Sequence, residues 1–151
     1  MKREIKNKSE IVRKLNLLLS NYEMYYQNLR ALHWNIKGKL FFMLHAKYEE
    51  LYNEAAEVID EIAERVLTLD ETPLHTYEDF ISNSKINAVK NVSEADQSLN
   101  IVLQNQETLH SVAYEVNDIA SESGDEGTVA LISEIISSLE KSIWMLKSSM
   151  K

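Results

Sequence analysis

Cysteine is absent from this chain, which removes disulfides, thiolate metal sites and thiol catalysis together and argues against a stapled secreted domain. Any metal held here is held by oxygen and imidazole nitrogen. Glycine occurs three times and proline once, so obligatory breaks are few and most of the chain is free to be continuous helix. No apolar run approaches the roughly 18 residues of a membrane span, and the opening MKREIKNKSE meets charge before any signal-like apolar region. The cytoplasm is the expected location, with association with the nucleoid as a variant of it. Positive charge is also short: 16 Lys and Arg against 24 Asp and Glu leave −8, which disfavours adhesion of the folded surface to nucleic-acid phosphate. Lys2, Arg3, Lys6 and Lys8 do crowd the first eight positions. With Glu4 among them the arm reads as an ordinary frayed terminus, a weak polyanion contact being the alternative.

What is present is helical periodicity, over a length of 151 residues that suits one domain with one core. Ile11, Leu15, Leu18, Leu19, Tyr22, Tyr25, Leu29 and Leu32 recur at helical spacing and predict a helix over 10–36, with Gly38 as a site of positive φ beyond its end. Leu44, Leu51, Ala55, Val58, Ile59, Ile62 and Val66 predict a second over 41–67, closed before Pro73. Residues 77–84 suit a short helix that must lie across its neighbours. Ser93, followed by Glu94 and Asp96, resembles a helix cap and opens a third long helix to about residue 120. The acidic, glycine-bearing stretch 121–127 connects it to a last helix over 128–147. Four long helices with a short one between the second and third predict an all-α four-helix bundle with one long connection.

Asp60 and Glu64, four apart in IDEIAER, share a helix face and can share a cation. Alone, that spacing is common on solvated surfaces. His33 and His45 sharpen it: they lie five residues before and seven after Gly38, which places them at roughly 7 and 10 Å from the turn of a helical hairpin. His45 and Asp60, fifteen positions apart on one helix, are separated by roughly 22 Å of rise. If imidazoles and carboxylates form one site, a second chain running antiparallel must complete it, and a two-fold dimer makes two such sites. Imidazole with carboxylate suits iron, manganese or zinc, and iron where the site is redox-active.

The run ALHWNIKGKLFFMLHAKYEELY, followed by VIDEIAERVLTL, resembles the signature of the Dps family, ferritin-like proteins that protect DNA during starvation. Trp34, Gly38, Phe42, Tyr52, Ala63 and Arg65 follow its pattern. GDEGTVALISEIISSLEKSIWMLKS resembles the family's last helix, including Thr128, Lys141, Trp144 and Met145. The likeness spans residues 10–148 and implies a short arm at 1–9 before a ferritin-like domain at 10–151. It implies a hollow homododecamer with ferroxidase sites at its two-fold interfaces, oxidising Fe(II) preferentially with hydrogen peroxide rather than dioxygen and storing Fe(III) mineral inside. His33 and His45 are then direct or water-mediated ligands from one subunit, while Asp60 and Glu64 supply the facing carboxylates, Glu64 at the tighter iron position. Zinc or another divalent metal is an alternative occupant. Because a ligating imidazole must be neutral, activity should fall as pH drops through the imidazole range.

Several residues depart from that pattern or admit a plainer reading. Ala130 stands where the family often has an aspartate lining an acidic entrance, although Glu122, Asp125 and Glu126 lie nearby. Asp70 and Glu71 replace a frequent glycine pair. The C-terminus offers only Lys147 and Lys151, and twelve chains at −8 each would carry −96, so DNA binding is expected to be weak. An architectural nucleoid protein with a structural metal site is the alternative function. Glu107 and His110 form one E-x-x-H pair of the kind conventional ferritins use inside each bundle, but the second is missing, since Glu71 and His75 miss the spacing by one. His110 therefore reads as an ordinary helix residue and His75 as a loop residue. Trp34 reads as an interface aromatic or an oxidant shield, Trp144 as a packing residue, and Tyr22, Tyr25 and Tyr26 as core or interface.

Overall fold

The computed structural model describes residues 3–151; Lys2, one of the four basic residues of the arm, lies outside them. The elements are α1 (Lys8–Asn35), α2 (Phe41–Thr68), α3 (Tyr77–Asn83), α4 (Ala95–Glu122) and α5 (Glu126–Ser149). The order is the expected all-α bundle with a short helix in the long connection. α1 packs on α2 and α4, α4 on α5, and α3 lies across α1, whereas α2 and α5 barely meet. Ile11, Leu15, Leu18, Leu32, Ile62, Val66, Leu109, Val116 and Ile132 are almost wholly buried, each contributing about 1.5–3 kcal/mol by leaving water. No helix among the described residues is long and apolar enough to cross a membrane.

The helix ends differ from the sequence reading where side chains compete for backbone groups. α4 starts after Glu94, which makes no side-chain cap. The carbonyl of Ser93 instead accepts from the Lys37 N–H at 2.9 Å, tying the α1–α2 turn to the start of α4. α5 starts two residues before the expected position because Asp125 caps it, its carboxylate accepting from the Thr128 N–H. Gly38 does adopt positive φ, at 110°.

Asparagines hold the long connection. Asn21 and Asn28 are buried on α1, where pattern alone would place apolar residues. The Asn21 Oδ1 accepts from the backbone N–H of Lys85 and Ile86 and from the Ser84 hydroxyl. Asn28 accepts from the Val89 N–H and donates to the Asn87 carbonyl and to Asn105. Asn16 accepts from the Leu74 N–H. A connection without regular structure thus finds partners for its backbone groups on a helix surface, as buried peptide groups require.

At the other end of the bundle Arg65 joins α2 to α5. Its Nη2 meets the buried Asp125 carboxylate at 2.7 Å and its Nε donates to the Thr128 hydroxyl at 2.9 Å. A Cβ on Gly127 would stand 2.7 Å from the guanidinium, so the glycine is what admits it.

Candidate metal centre

His33 closes α1 and His45 sits in the first turns of α2, so the tight turn between the helices lays one ring on the other. The centroids are 3.7 Å apart and the planes 16° from parallel. Each ring is held by the other's backbone: the His33 Nδ1 lies 2.7 Å from the His45 carbonyl, and the His45 Nδ1 2.8 Å from the His33 carbonyl. A carbonyl oxygen only accepts, so both Nδ1 atoms carry hydrogen. With that hydrogen on Nδ1, the neutral form of each ring has Nε2 as its lone-pair atom, the arrangement in which a backbone partner fixes the ligating tautomer. Phe41 stacks on His45 at 4.9 Å, and Tyr52 meets the face of His33 edge-on at 5.3 Å, so the rings have little freedom to turn.

The structure adds Glu49, a residue that reasoning from sequence missed. It lies one turn beyond His45, and ligand atoms of His33, His45 and Glu49 fall within 4.8 Å of one another. The His33 Nε2 and the Glu49 carboxylate stand 3.7 Å apart. With Nδ1 protonated, both are acceptors, and two facing acceptors favour a cation between them. Donors each about 2.1 Å from a shared ion can stand up to about 4.2 Å apart. The available signal was the four-residue spacing from His45 to Glu49, the same spacing that picked out Asp60 and Glu64.

Asp60 and Glu64 lie side by side on an exposed face farther along α2. The Glu64 carboxyl is raised above its ordinary value by a hydrogen bond to Asp60 that only its protonated form can make, and then by the charge of Asp60. Two carboxylates that share a proton in this way are a pair a cation would stabilise. One chain does not bring this pair to the histidines: fifteen residues of one helix intervene, about 22 Å. Each chain therefore presents two separate clusters, one of imidazole with Glu49 and one of paired carboxylates.

Large aromatic side chains are exposed on the same helices and on α3. Phe42 is 86% exposed and Trp34 57%, beside the histidines, while Tyr77 on α3 is 81% exposed. Arg30 lies over the rings of both Tyr26 and Trp34, at 5.3 and 4.9 Å. Trp144, read from sequence as a packing residue, is 63% exposed within the chain, because it falls on the side of α5 opposite Leu139 and Leu146. Tyr22 and Tyr25 are buried as expected. Glu107 and His110 face outward, Glu107 against Lys147 and His110 against Glu140 at 2.8 Å.

Among known proteins, the ferritin-like domain family matches residues 12–151. An uncharacterised protein of Haemophilus influenzae is 42% identical over 93% of this chain and 88% of its own length. A DNA protection during starvation protein of Porphyromonas gingivalis is 35% identical over 91% of this chain and 87% of its own length. The crystal structure of a Dps protein from Vibrio cholerae O1, described as a member of a broad superfamily of ferritin-like diiron-carboxylate proteins, superposes with a TM-score of 0.94 at 38% identity, covering 95% of this chain and 91% of that one. With a bundle of this order and this degree of likeness over nearly its whole length, the chain belongs to the Dps family of ferritin-like proteins.

Proposed function

We propose that this protein is a ferroxidase and iron store, which oxidises ferrous iron at sites completed between two subunits and holds the ferric product inside a dodecameric shell. The observation that carries the reading is the His33 and His45 pair, which presents two bare Nε2 atoms beside Glu49 while the carboxylates it lacks lie on the same helix beyond reach. A two-fold partner running antiparallel supplies Asp60 and Glu64 to the histidines and receives the same in return. The exposed aromatic surface at Trp34 and Phe42 is of the kind such an interface covers.

His33, His45, Asp60 and Glu64 are the proposed ligands, with Glu49 a further carboxylate on the histidine side. Iron is the substrate. Two ferrous ions give one electron each to hydrogen peroxide, its O–O bond breaks, and two protons complete two waters, leaving two ferric ions. Delivering both electrons at one place avoids release of hydroxyl radical. Neutral imidazoles anchor the ions without adding charge, and the carboxylates offset the charge that grows on oxidation. Ferric ion then hydrolyses and moves inward. Zinc fits the same nitrogen and oxygen donors and would compete for the site.

The test is an anaerobic ferrous titration of metal-free protein, followed by peroxide at one equivalent per two irons, reading ferric absorbance and residual peroxide. Rapid consumption at two irons per peroxide is expected, and is lost in an Asp60→Ala, Glu64→Ala variant. Equally slow oxidation in both proteins would overturn the reading.

A further inference from the structure

α1 and α2 set aromatic rings around the imidazole pair. Tyr52 falls seven residues beyond His45 and three beyond Glu49 on α2, so the three share one helix face. Its ring packs edge to face with His33, the centroids 5.3 Å apart and the planes at 81°. Tyr26, on α1, packs against Tyr52 in the same manner at 6.0 Å and 84°. Both tyrosines are half-buried. Trp34 follows His33 in sequence, but successive side chains on a helix do not face one another, and Trp34 is exposed where His33 is buried. Ring contact therefore runs from both imidazoles through Tyr52 to Tyr26.

These rings differ in how readily they lose an electron. The Arg30 guanidinium stands over Tyr26 at 5.3 Å and over Trp34 at 4.9 Å. A cation over an aromatic face is attracted to the electrons there, and it repels the positive charge left when one is removed. Tyr26 and Trp34 are thus held in their reduced forms. Among the described residues no cation stands over Tyr52, and of these three rings it is the one packed against an imidazole. Phe41 stacks on His45 but has no hydroxyl whose proton can leave with an electron, so its oxidation is far harder.

We propose that Tyr52 is the electron donor that completes the reduction of hydrogen peroxide when a site holds one ferrous ion instead of two. The inference rests on the ferroxidase reading and extends it to the partly filled site. Peroxide needs two electrons to become two waters, and a lone ferrous ion gives one. With no second donor, its O–O bond breaks to hydroxide and hydroxyl radical. Tyr52 supplies the second electron through His33 and gives up its phenol proton. That proton and one from solvent complete two waters, leaving one ferric ion and a neutral phenoxyl radical on Tyr52. Trp34, although next to His33 in the chain, is not the donor, because Arg30 covers it.

The test loads assembled, metal-free protein anaerobically with ferrous iron well below one ion per site, adds one peroxide per iron, freezes the sample rapidly and reads it by electron paramagnetic resonance. The expected result is a radical whose signal narrows in protein grown with ring-deuterated tyrosine. Read per iron oxidised, so that a slower site does not imitate the effect, the signal falls at least tenfold in Tyr52→Phe, which keeps the ring and its packing. Hydroxyl radical caught by a spin trap rises in the same variant. Trp34→Phe leaves the signal in place, whereas Arg30→Gln uncovers Trp34 and moves part of the signal to tryptophan. A radical that tyrosine deuteration does not narrow, or one of equal yield in Tyr52→Phe, overturns the proposal. The ferroxidase reading is judged apart from it, by consumption of two irons per peroxide in native protein at full loading.

Discussion

A hydrogen bond to Asp60, and then the charge of Asp60, raise the Glu64 carboxyl above its ordinary value. Its value in the folded chain lies above the ordinary 4.5. The favourable contribution of the protonated pair is therefore full below that value and is lost as pH rises through the raised one. A cation competes with the same proton, so its binding strengthens as pH rises through the raised value and weakens as pH falls. In a Glu64→Gln variant that acid-range dependence should flatten as overall affinity drops; zinc binding measured from pH 4 to 6.5 checks this, and an unchanged slope would sink it. The buried asparagines act at the same scale. Asn28→Ala strips the Val89 N–H and the Asn87 carbonyl of their partner, which should cost about 1–3 kcal/mol, read as a lower midpoint in urea. Asp60 and Glu64 were legible in the sequence because helical spacing names a shared face. Asn21 and Asn28 were not, because periodicity reports where apolar residues fall and says nothing of a polar group that finds its partners on a distant loop.

Among the elements, a polar junction ties α2 to the start of α5 at one end of the bundle. Arg65 reaches Asp125, whose side chain is 1% exposed, and Thr128. Replacing Arg65 by Met would leave a buried carboxylate without its cation, at a cost of about 3–5 kcal/mol. Gly127→Ala, by crowding the guanidinium, should cost about 1–3 kcal/mol. Thermal unfolding of the two variants tests both figures, and a Gly127→Ala protein as stable as its parent would show that Arg65 moves aside freely. All five helices were legible from spacing and from the scarcity of glycine and proline, α2 and α3 to within a residue at each end, whereas the starts of α4 and α5 were not. Ser93 has the chemistry of a cap, yet its carbonyl is drawn into the α1–α2 turn, a contact between segments more than fifty residues apart. Asp125 lay in a stretch whose acidity suggested a connection, and its role as the cap of α5 follows from its burial beneath Arg65.

For the whole molecule, the separation of the half-sites makes a prediction about mixtures. A chain carrying His33→Ala and His45→Ala keeps its carboxylates; a chain carrying Asp60→Ala and Glu64→Ala keeps its histidines. Each assembly alone should be nearly inactive in peroxide-driven iron oxidation. Unfolded together and reassembled at equal amounts, they should recover about a quarter of native activity, since random two-fold pairing makes half the dimers mixed and each mixed dimer holds one intact site. No recovery in a properly assembled mixture would place the chemistry within single chains. That separation was legible from arithmetic on helix rise, whereas the position of Glu49 beside His33 required the hairpin itself.

The crossed hydrogen bonds of His33 and His45 bear on something else, the acid released when iron is taken up. Both rings already carry their hydrogen on Nδ1, so above the imidazole range Nε2 has none to surrender. In that range loading with ferrous iron draws no proton from the rings, whereas at lower pH both a protonated ring and the Glu64 carboxyl, raised by its hydrogen bond to Asp60, have one to release. Titrant consumed in a pH-stat during anaerobic loading should therefore rise as the starting pH is lowered, and the share that Glu64 supplies is the part lost in Glu64→Gln.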